Sequence, residues 1–414
     1  MSLSATLDAQ ADSHLRRALQ LAEEASALAS PNPTVGCVLA LDDHRLGEGA
    51  HRYNHFDHAE IVALKQAASR GHSVHGATAF VTLEPCAHHG RTPPCSNALI
   101  AAGISRCVVA TVDPNPLVRG AGIAKLRNAG IEVTIANPES SLAQHARALN
   151  DAFAHSIQTG GLPFVTLKAA VSRDGYLAPP ASARTSRTPH WLTGPAARAD
   201  VQHLRHTSDA ILTGIGTVLA DNPSLTDRTG LPRSRPLLRV ILDPDLRTPP
   251  TNNVISTEAL GEVEGRSGEI PAFGDVRSTL IFCRASAPAD CESALLASGT
   301  EIIRLDSDSR TLDLNAVLSA LAARKILSIF VEAGPTLNAA FLNSNLAGKL
   351  VLYTAPTTLG PNALPFATGL ASPFALEPRL THITRATFPH NGSHDTRITG
   401  YLHNPWSNLE TPNI

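Results

Sequence analysis

The sequence is poor in aromatic residues and carries almost no net charge. Phe, Trp and Tyr make up 4% of its 414 residues, and the formal net charge is −2. A protein that binds single-stranded nucleic acid needs a basic groove and aromatic side chains on which bases stack. The composition therefore argues against a nucleic-acid partner.

The sequence also lacks an apolar run of membrane-spanning length and a start typical of a secretory signal. Its six cysteines fit a reducing compartment better than a disulfide framework. We therefore expect a cytoplasmic enzyme that acts on a small molecule and has no membrane partner. A chain of 414 residues is too long for one core, so two domains are expected.

Two short motifs carry the strongest chemical signal. His58-Ala59-Glu60 is followed by Glu84-Pro85-Cys86 and, after eight intervening residues, by Cys95. One imidazole and two thiolates leave the fourth position of a tetrahedral zinc ion open, as in catalytic zinc sites. A histidine with a glutamate two residues later, followed by Pro-Cys and a second cysteine, is typical of zinc-dependent deaminases of nucleobase-like rings. Glu60 is then the candidate proton carrier.

Less specific roles for these residues remain open at this stage. A single His-x-Glu occurs by chance, and free cysteines are often buried core residues. A structural zinc site needs a fourth ligand, which His88 or His89 would supply.

Strands alternate with helices along the chain, which predicts α/β domains with sheets covered on both faces. We expect domains at residues 1–150 and 151–414 with a hinge near 158–163. A surface insertion is expected at 249–278 and a loose tail at 404–414. The first helix is expected to be capped by Asp12 or Ser13 and another to run from Leu142 to Ile157.

The second half lacks the G-x-G-x-x-G pattern of a Rossmann dinucleotide site. It has two strand-to-helix turns rich in small residues, Gly214-Ile215-Gly216-Thr217 and Gly334-Pro335-Thr336. Free N–H groups at such turns attract phosphate. Residues alone thus predict a nucleotide-sized binding domain.

The sequence resembles the bifunctional riboflavin-biosynthesis deaminase/reductase family from about Ser13 to Leu402. The resembling stretches are Asn32-Pro33-Thr34-Val35-Gly36-Cys37, His58-Ala59-Glu60, Thr82-Leu83-Glu84-Pro85-Cys86, Gly90-Arg91-Thr92-Pro93-Pro94-Cys95, Asp113-Pro114-Asn115-Pro116, Ala220-Asp221-Asn222-Pro223 and Val331-Glu332-Ala333-Gly334-Pro335-Thr336. The resemblance implies a cytidine-deaminase-like three-layer α/β/α domain followed by a dihydrofolate-reductase-like α/β domain.

The resemblance further implies two successive reactions. Zinc-dependent hydrolytic deamination of 2,5-diamino-6-(5-phosphoribosylamino)pyrimidin-4(3H)-one comes first, and NADPH-dependent reduction of the ribosyl group of 5-amino-6-(5-phosphoribosylamino)uracil to ribityl follows. One Zn²⁺ ion per chain, a phosphorylated pyrimidine substrate and a homo-oligomer, either dimer or tetramer, are expected.

By resemblance, each reaction has its own set of residues. In the deaminase, His58, Cys86 and Cys95 bind zinc, Glu60 transfers protons, and the substrate contacts are Asn32, His51, His88 and Arg91. In the reductase, the NADPH contacts are Ala170, Trp191, Thr217, Asp221, Gly334, Pro335, Thr336, Leu337, Asn338, Ala339 and Ala340. Its substrate contacts are Arg205, Leu225, Arg228 and Glu332.

The second domain departs from the family pattern at two places. Ser172-Arg173-Asp174-Gly175-Tyr176 stands where the family shows S-L-D-G and a basic residue, and Thr188-Pro189-His190 precedes Trp191 where a serine is usual. A deaminase whose second domain only binds nucleotide or scaffolds an oligomer is therefore the alternative. A deaminase that acts on nucleic acid is a further alternative.

Overall fold

The computed structural model describes residues 8–89, 93–184, 191–255, 278–307, 310–407 and 409. They form two compact units, Met1–Gly160 with Pro405–Ile414 and Gly161–Asn404. The chain passes between the units at Gly160 and Gly161, whose φ angles of 68° and 105° favour glycine. The predicted limits of the two functional domains, 1–150 and 151–414, stay predictions.

The first unit is built on a five-stranded sheet in the order β2-β1-β3-β4-β5. Its strands are β1 (Gly36–Leu41), β2 (His44–Ala50), β3 (Thr78–Val81), β4 (Arg106–Val109) and β5 (Glu132–Ile135). β1 is antiparallel to both neighbours, whereas β3, β4 and β5 are parallel. Its helices are α1 (Ala9–Glu24), α2 (Ser26–Ala29), α3 (Ala59–Ser69), α4 (Cys95–Ala101), α5 (Ala121–Asn128), α6 (Ser141–Ala148) and α7 (Asp151–Gln158).

Alternate strand residues bury the two faces of this sheet. Val38 and Ala40 pack with α1 and α6, whereas Cys37 and Leu39 pack with α3, α4 and α5. This alternation is the two-residue period of a strand. It produces three layers, helix, sheet and helix.

The second unit is built on a nine-stranded sheet in the order β11-β10-β9-β8-β12-β6-β13-β16-β15, with β7 and β14 forming a separate pair. Its strands are β6 (Phe164–Val171), β7 (Tyr176–Ala178), β8 (Ala210–Gly214), β9 (Leu238–Leu242), β10 (Thr279–Arg284), β11 (Glu301–Leu305), β12 (Ser328–Glu332), β13 (Lys349–Thr354), β14 (Leu364–Pro365), β15 (Thr381–His390) and β16 (Ser393–Tyr401). Its helices are α8 (Pro195–His206), α9 (Ile215–Asp221), α10 (Glu292–Ala297), α11 (Leu314–Ala323) and α12 (Pro335–Asn343).

The strands from β11 to β13 are parallel, and β16 and β15 extend the sheet as an antiparallel hairpin. Helices cover both faces, as the alternation of strands and helices predicted. α11 and α12 pack on one face, and α8, α9 and α10 contribute to apolar clusters that contain the alternate strand residues. The carboxyl ends of the parallel strands therefore share one edge.

Two expectations about helices were wrong. α1 begins at Ala9 because Asp8 caps it by accepting from the N–H of Ala11 at 2.7 Å, while Asp12 pairs with Arg16. The helix expected from Leu142 to Ile157 is divided into α6 and α7. The division lies at buried Asn150, whose side chain exchanges two hydrogen bonds with the backbone of Thr34, at 2.8 and 3.0 Å.

The first residues of the expected tail are packed, which corrects that expectation. Trp406 is 6% exposed, and its indole N–H donates to Asp151 at 3.1 Å. Arg147 lies 5.7 Å from the centre of the Trp406 ring. In the expected insertion, Val254 and Ile255 are buried, and residues 256–277 lie outside the described part of the chain.

None of the helices in the described ranges combines the length and apolar character needed to span a membrane.

We predict that Gly36→Ala destabilises the first unit. A Cβ atom at Gly36 would lie 2.0 Å from the carbonyl oxygen of Ala18, so α1 would have to move away from the sheet. Overpacking of this kind costs about 2 kcal/mol. Denaturant unfolding of the full chain would show a lower midpoint for the first unit, and an unchanged midpoint would contradict the packing described.

Candidate functional site

Three side chains of the first unit converge at one point. The Nδ1 atom of His58 lies 3.1 Å from Sγ of Cys95 and 3.6 Å from Sγ of Cys86. The three possible ligand atoms all lie within 4.8 Å of one another. One nitrogen and two sulfurs are a donor set that suits zinc. The residues predicted from the sequence to bind the metal are thus brought together.

The fold explains why these residues meet. His58 is the N-cap of α3, and Cys95 is the first residue of α4. Cys86 lies in the loop that connects β3 to α4. The free N–H groups at a helix N-terminus favour nearby negative charge. The N–H of Cys95 donates to Sγ of Cys86 at 3.2 Å, which stabilises a thiolate. Hydrogen bonds from Cys95 and His58 lower the pKa of the Cys86 thiol below its ordinary value.

Glu60 lies in the first turn of α3 and is 3% exposed. Burial raises the pKa of its carboxyl group above the ordinary value, although the neighbouring His58 opposes this shift. A buried carboxyl group beside the ligand cluster is suited to take up and release a proton. The motif in the sequence predicted the same proton-transfer role for Glu60.

His51 and Asn32 form a hydrogen-bonded pair in the same unit. His51 is 2% exposed, its Nδ1 lies 2.8 Å from the carbonyl oxygen of Asp57, and its Nε2 lies 2.9 Å from the amide nitrogen of Asn32. Burial lowers the pKa of His51 to about 4, so the ring is neutral at pH 7. Nδ1 therefore donates to Asp57, and Nε2 accepts from Asn32. Both ring nitrogens are engaged within the protein.

The remaining predicted deaminase residues lie in the loop between the two cysteines. His88 and His89 are exposed, and Arg91 lies outside the described residues. Within the described ranges, the cluster of possible metal ligands contains His58, Cys86 and Cys95 and no fourth side chain. A structural zinc site closed by His88 or His89 is therefore not supported.

In the second unit, a carboxylate whose side chain is 16% exposed lies between two cations. Glu332 ends β12 and is paired in register with Lys168 of β6. Its oxygens lie 3.2 Å from Nζ of Lys168 and 2.6 Å from Nε of Arg205. Burial opposes ionisation, but these two cations outweigh it and hold the pKa of Glu332 at about 2. Glu332 is therefore ionised at neutral pH.

Arg205 connects this cluster to the loop that contains the other predicted substrate contacts. Its Nη1 donates to the carbonyl oxygen of Thr226 at 3.0 Å. Leu225 is buried with a φ of 51°, an unusual angle for a residue other than glycine, and Arg228 is exposed. The structure thus brings Arg205 and Glu332 into contact and places Leu225 and Arg228 on the adjoining loop.

Two glycine-led helix starts follow neighbouring parallel strands. Gly214 is the N-cap of α9 and Gly334 that of α12, and β8 and β12 are adjacent. A Cβ atom at Gly214 would lie 3.7 Å from Leu337, whereas one at Gly334 would meet no atom of the described residues within 4 Å. Open space above free N–H groups suits the phosphates of a dinucleotide.

Asn338 supports this fit. It is 1% exposed, and its Nδ2 donates to the carbonyl oxygens of Ala333 and Phe366. Its Oδ1 is buried without a hydrogen-bond partner among the described residues. The other predicted cofactor contacts occupy the same elements or the exposed surface: Pro335, Thr336, Leu337, Ala339 and Ala340 in α12, Thr217 and Asp221 in α9, Ala170 in β6, and Trp191, which is 60% exposed and lies 5.1 Å from the Arg198 guanidinium.

Sequence reasoning assigned no role to Lys168 or Glu84. Lys168 stands in the apolar strand Phe164–Val171, where a lone charge is a signal that it has a buried partner. Glu84 was noted only as part of a motif, and it is 3% exposed. The roles of both side chains depend on contacts with residues that lie far away in the sequence.

Two family models match the chain. The cytidine and deoxycytidylate deaminase zinc-binding region covers residues 8–111, and the RibD C-terminal domain covers residues 163–387. Riboflavin biosynthesis protein RibD of Escherichia coli (strain K12) is 38% identical over 86% of this chain and 90% of its own length. That of Bacillus amyloliquefaciens is 38% identical over 85% and 86%.

Solved structures agree. Acinetobacter baumannii RibD, form 1, is 34% identical with a TM-score of 0.70, over 95% of this chain and 98% of its own. A Thermotoga maritima diaminohydroxyphosphoribosylaminopyrimidine deaminase/5-amino-6-(5-phosphoribosylamino)uracil reductase is 30% identical with a TM-score of 0.74, over 95% and 99%. The predicted fold class, a cytidine-deaminase-like domain followed by an α/β reductase domain, is confirmed.

We predict that Glu332→Gln lowers the free energy of unfolding of the second unit by about 3 kcal/mol, because Lys168 and Arg205 lose a counter-charge that is largely shielded from solvent. The depressed pKa fixes the pH dependence. The difference in free energy of unfolding between wild type and variant is fully present above pH 4.5, the ordinary pKa of a Glu carboxyl group. This difference becomes smaller as the pH falls towards about 2. Denaturant unfolding at several pH values measures it.

Glu301→Gln is the matched control, because Glu301 pairs with Arg324 at the surface with 39% and 33% of the side chains exposed. Its loss is expected to cost less than about 1 kcal/mol. Equal effects of the two substitutions would contradict the buried ion-pair cluster.

Proposed function

The chain belongs to the RibD family of riboflavin biosynthesis proteins, and on this premise we propose how its residues divide the two reactions. It is a bifunctional enzyme that deaminates 2,5-diamino-6-(5-phosphoribosylamino)pyrimidin-4(3H)-one and then reduces the ribosyl group of 5-amino-6-(5-phosphoribosylamino)uracil. A zinc-binding deaminase domain and a reductase domain imply zinc and a nicotinamide cofactor. Our proposal names one Zn²⁺ per chain and NADPH.

The observation that carries the deaminase assignment is the convergence of His58, Cys86 and Cys95 beside buried Glu60. These three side chains would hold the zinc ion, which when bound activates water for attack on the ring carbon that carries the 2-amino group. Glu60 accepts one proton from the water and delivers it to the ring nitrogen as the hydroxyl group adds to the ring carbon. It then takes the proton of that hydroxyl group and delivers it to the amino group, which departs as ammonia while the carbonyl group forms. Its raised pKa suits both steps.

We assign Asn32 to a contact with the pyrimidine ring, and we assign His51 to holding the Asn32 side chain in the orientation that this contact needs. Because Nε2 of His51 accepts from the Asn32 amide nitrogen, the amide oxygen of Asn32 is left to face the substrate. The neutral state of His51 maintains this arrangement at physiological pH. His88 and Arg91 are assigned to the substrate and its phosphate by resemblance, since their loop lies between the two cysteines.

In the second domain, the starts of α9 and α12 are assigned to the cofactor phosphates, and the Glu332 cluster to the ribosyl group. NADPH, when bound, supplies the hydride. Reduction also needs a proton, and Lys168, whose Nζ lies 3.2 Å from the Glu332 carboxylate, is assigned to donate it. Arg228 is exposed on the adjoining loop, where a guanidinium suits a phosphate.

We also propose a cytoplasmic location and a homo-oligomeric state, either dimer or tetramer. All six cysteines are free, which fits a reducing compartment. Light scattering on the purified chain measures the oligomeric state.

We expect Glu60→Gln to reduce ammonia release by at least about a hundredfold, because the amide cannot accept the proton of the attacking water. The same variant supplied with the deaminated substrate should oxidise NADPH at the wild-type rate. Ammonia release at the wild-type rate would remove Glu60 from the mechanism. A wild-type chain that releases ammonia but never oxidises NADPH would favour a second domain without hydride transfer.

We expect Gly334→Val to raise the KM for NADPH roughly tenfold, equivalent to about 1.4 kcal/mol of binding. The new side chain would enter the open space above the start of α12, and the extended backbone there, with φ −82° and ψ 179°, accommodates valine. Ammonia release by the same chain is the internal control and should not change. An unchanged KM for NADPH would argue against phosphate binding at α12.

A further inference from the structure

Glu84 is a buried carboxylate two residues before Cys86, and four backbone N–H groups donate to it. One oxygen accepts from Asp113 at 3.2 Å and Gly120 at 3.0 Å, and the other accepts from Gly122 at 3.0 Å and Ile123 at 3.2 Å. We propose that Glu84 is a positioning residue that fixes the Cys86 loop to the N-terminus of α5 and so sets the geometry of the metal site. The inference rests on the metal-binding role proposed above for His58, Cys86 and Cys95.

The start of α5 depends on this carboxylate. Its N-cap is Gly120, which adopts a left-handed conformation with φ 82° and has no side chain with which to cap the helix. An uncapped helix leaves N–H groups without partners, and an acidic group near them is favoured by the helix dipole. Glu84 supplies both the acceptor atoms and the charge from 36 residues earlier in the sequence than Gly120.

The backbone next to Cys86 is in direct contact with the same helix. A Cβ atom at Gly122 would lie 1.9 Å from the carbonyl oxygen of Pro85 and 3.3 Å from Cγ of Glu84. The helix therefore approaches Pro85 as closely as a glycine allows. Capping the helix does not by itself require α5 to contact Pro85. The contact therefore indicates that α5 also fixes the backbone next to Cys86.

Cys86 is thus held from two sides. Its carbonyl oxygen accepts from Ser96 and its Sγ from Cys95, both at 3.2 Å and both in the first turn of α4. Glu84 and Pro85 tie the preceding residues to α5. Cys86 itself lies beyond the end of β3, so the sheet does not fix it. The position of its sulfur then depends on the two helix starts, one of which acts through Glu84.

Two variants of the full-length chain test this role from opposite sides. Glu84→Gln turns an NH₂ group towards two of the four N–H donors, which leaves them without an acceptor. Gly122→Ala keeps the carboxylate and displaces Pro85. For both, we expect competition with a chelator to show that zinc is bound at least about tenfold more weakly, the effect usual for residues that orient metal ligands. The absorption bands of the cobalt-substituted protein should shift, and kcat for ammonia release should fall more than KM rises.

Two controls separate this role from general destabilisation. The reductase rate on deaminated substrate should remain within about twofold of wild type, since both substitutions lie in the first compact unit and the Glu332 cluster lies in the second. Asp151→Asn alters another buried carboxylate of the same unit, one that bonds to Trp406, and should leave the cobalt spectrum unchanged.

His58→Ala reports separately on the metal site. If it retains zinc as wild type does, the proposed ligand set fails, whatever Glu84 does. If His58→Ala loses zinc while Glu84→Gln and Gly122→Ala keep wild-type zinc retention and cobalt spectra, the positioning role is wrong and the metal site stands. If Glu84→Gln does not fold, Gly122→Ala alone decides, because its carboxylate is intact.

Discussion

The convergence of one imidazole nitrogen and two sulfurs within 4.8 Å is the constraint on which the first domain depends. Three separate stretches of chain must meet at the same place, two of them at the start of a helix and the third in the loop that follows a strand. His58 precedes α3, Cys95 begins α4, and Cys86 follows β3. The free N–H groups at the helix starts stabilise the negative charge that the ligands carry. The order of strands and helices in this domain therefore determines both where the three ligands meet and how well they stabilise negative charge.

The second domain applies the same physical device to a different chemistry. Parallel strands bring the starts of α9 and α12 side by side, with open space beside Gly334 at the start of α12. The register of β6 against β12 places Lys168 opposite Glu332, and Arg205 of α8 completes the cluster. Charge that is costly to bury is balanced there by opposite charge, so a cation and an ionised carboxylate coexist next to the candidate cofactor site.

Much of this was predictable because the residues concerned are adjacent to strong local signals. His58, Glu60 and Cys95 lie at helix starts, Cys86 follows a predicted strand, and Gly214 and Gly334 mark strand-to-helix turns. Other features depend on distant partners that no local pattern contains. The chain leaves the helix after α6 because the side chain of Asn150 bonds to the backbone of Thr34. The role of Lys168 depends on its register opposite Glu332, and that of Glu84 depends on the N–H groups of α5. The start of α1 at Asp8 was missed because Asp8, Asp12 and Ser13 are all plausible caps and only geometry distinguishes them.

X-ray absorption at the zinc edge of the purified full-length chain identifies the ligand atoms themselves and so tests the proposed metal site. We predict one zinc ion per chain with two sulfur neighbours at about 2.3 Å and nitrogen or oxygen neighbours at about 2.0 Å. Two sulfurs with an exchangeable oxygen ligand would establish an open site built from Cys86, Cys95 and His58. A shell with fewer than two sulfurs, or one closed by a second histidine, would contradict it.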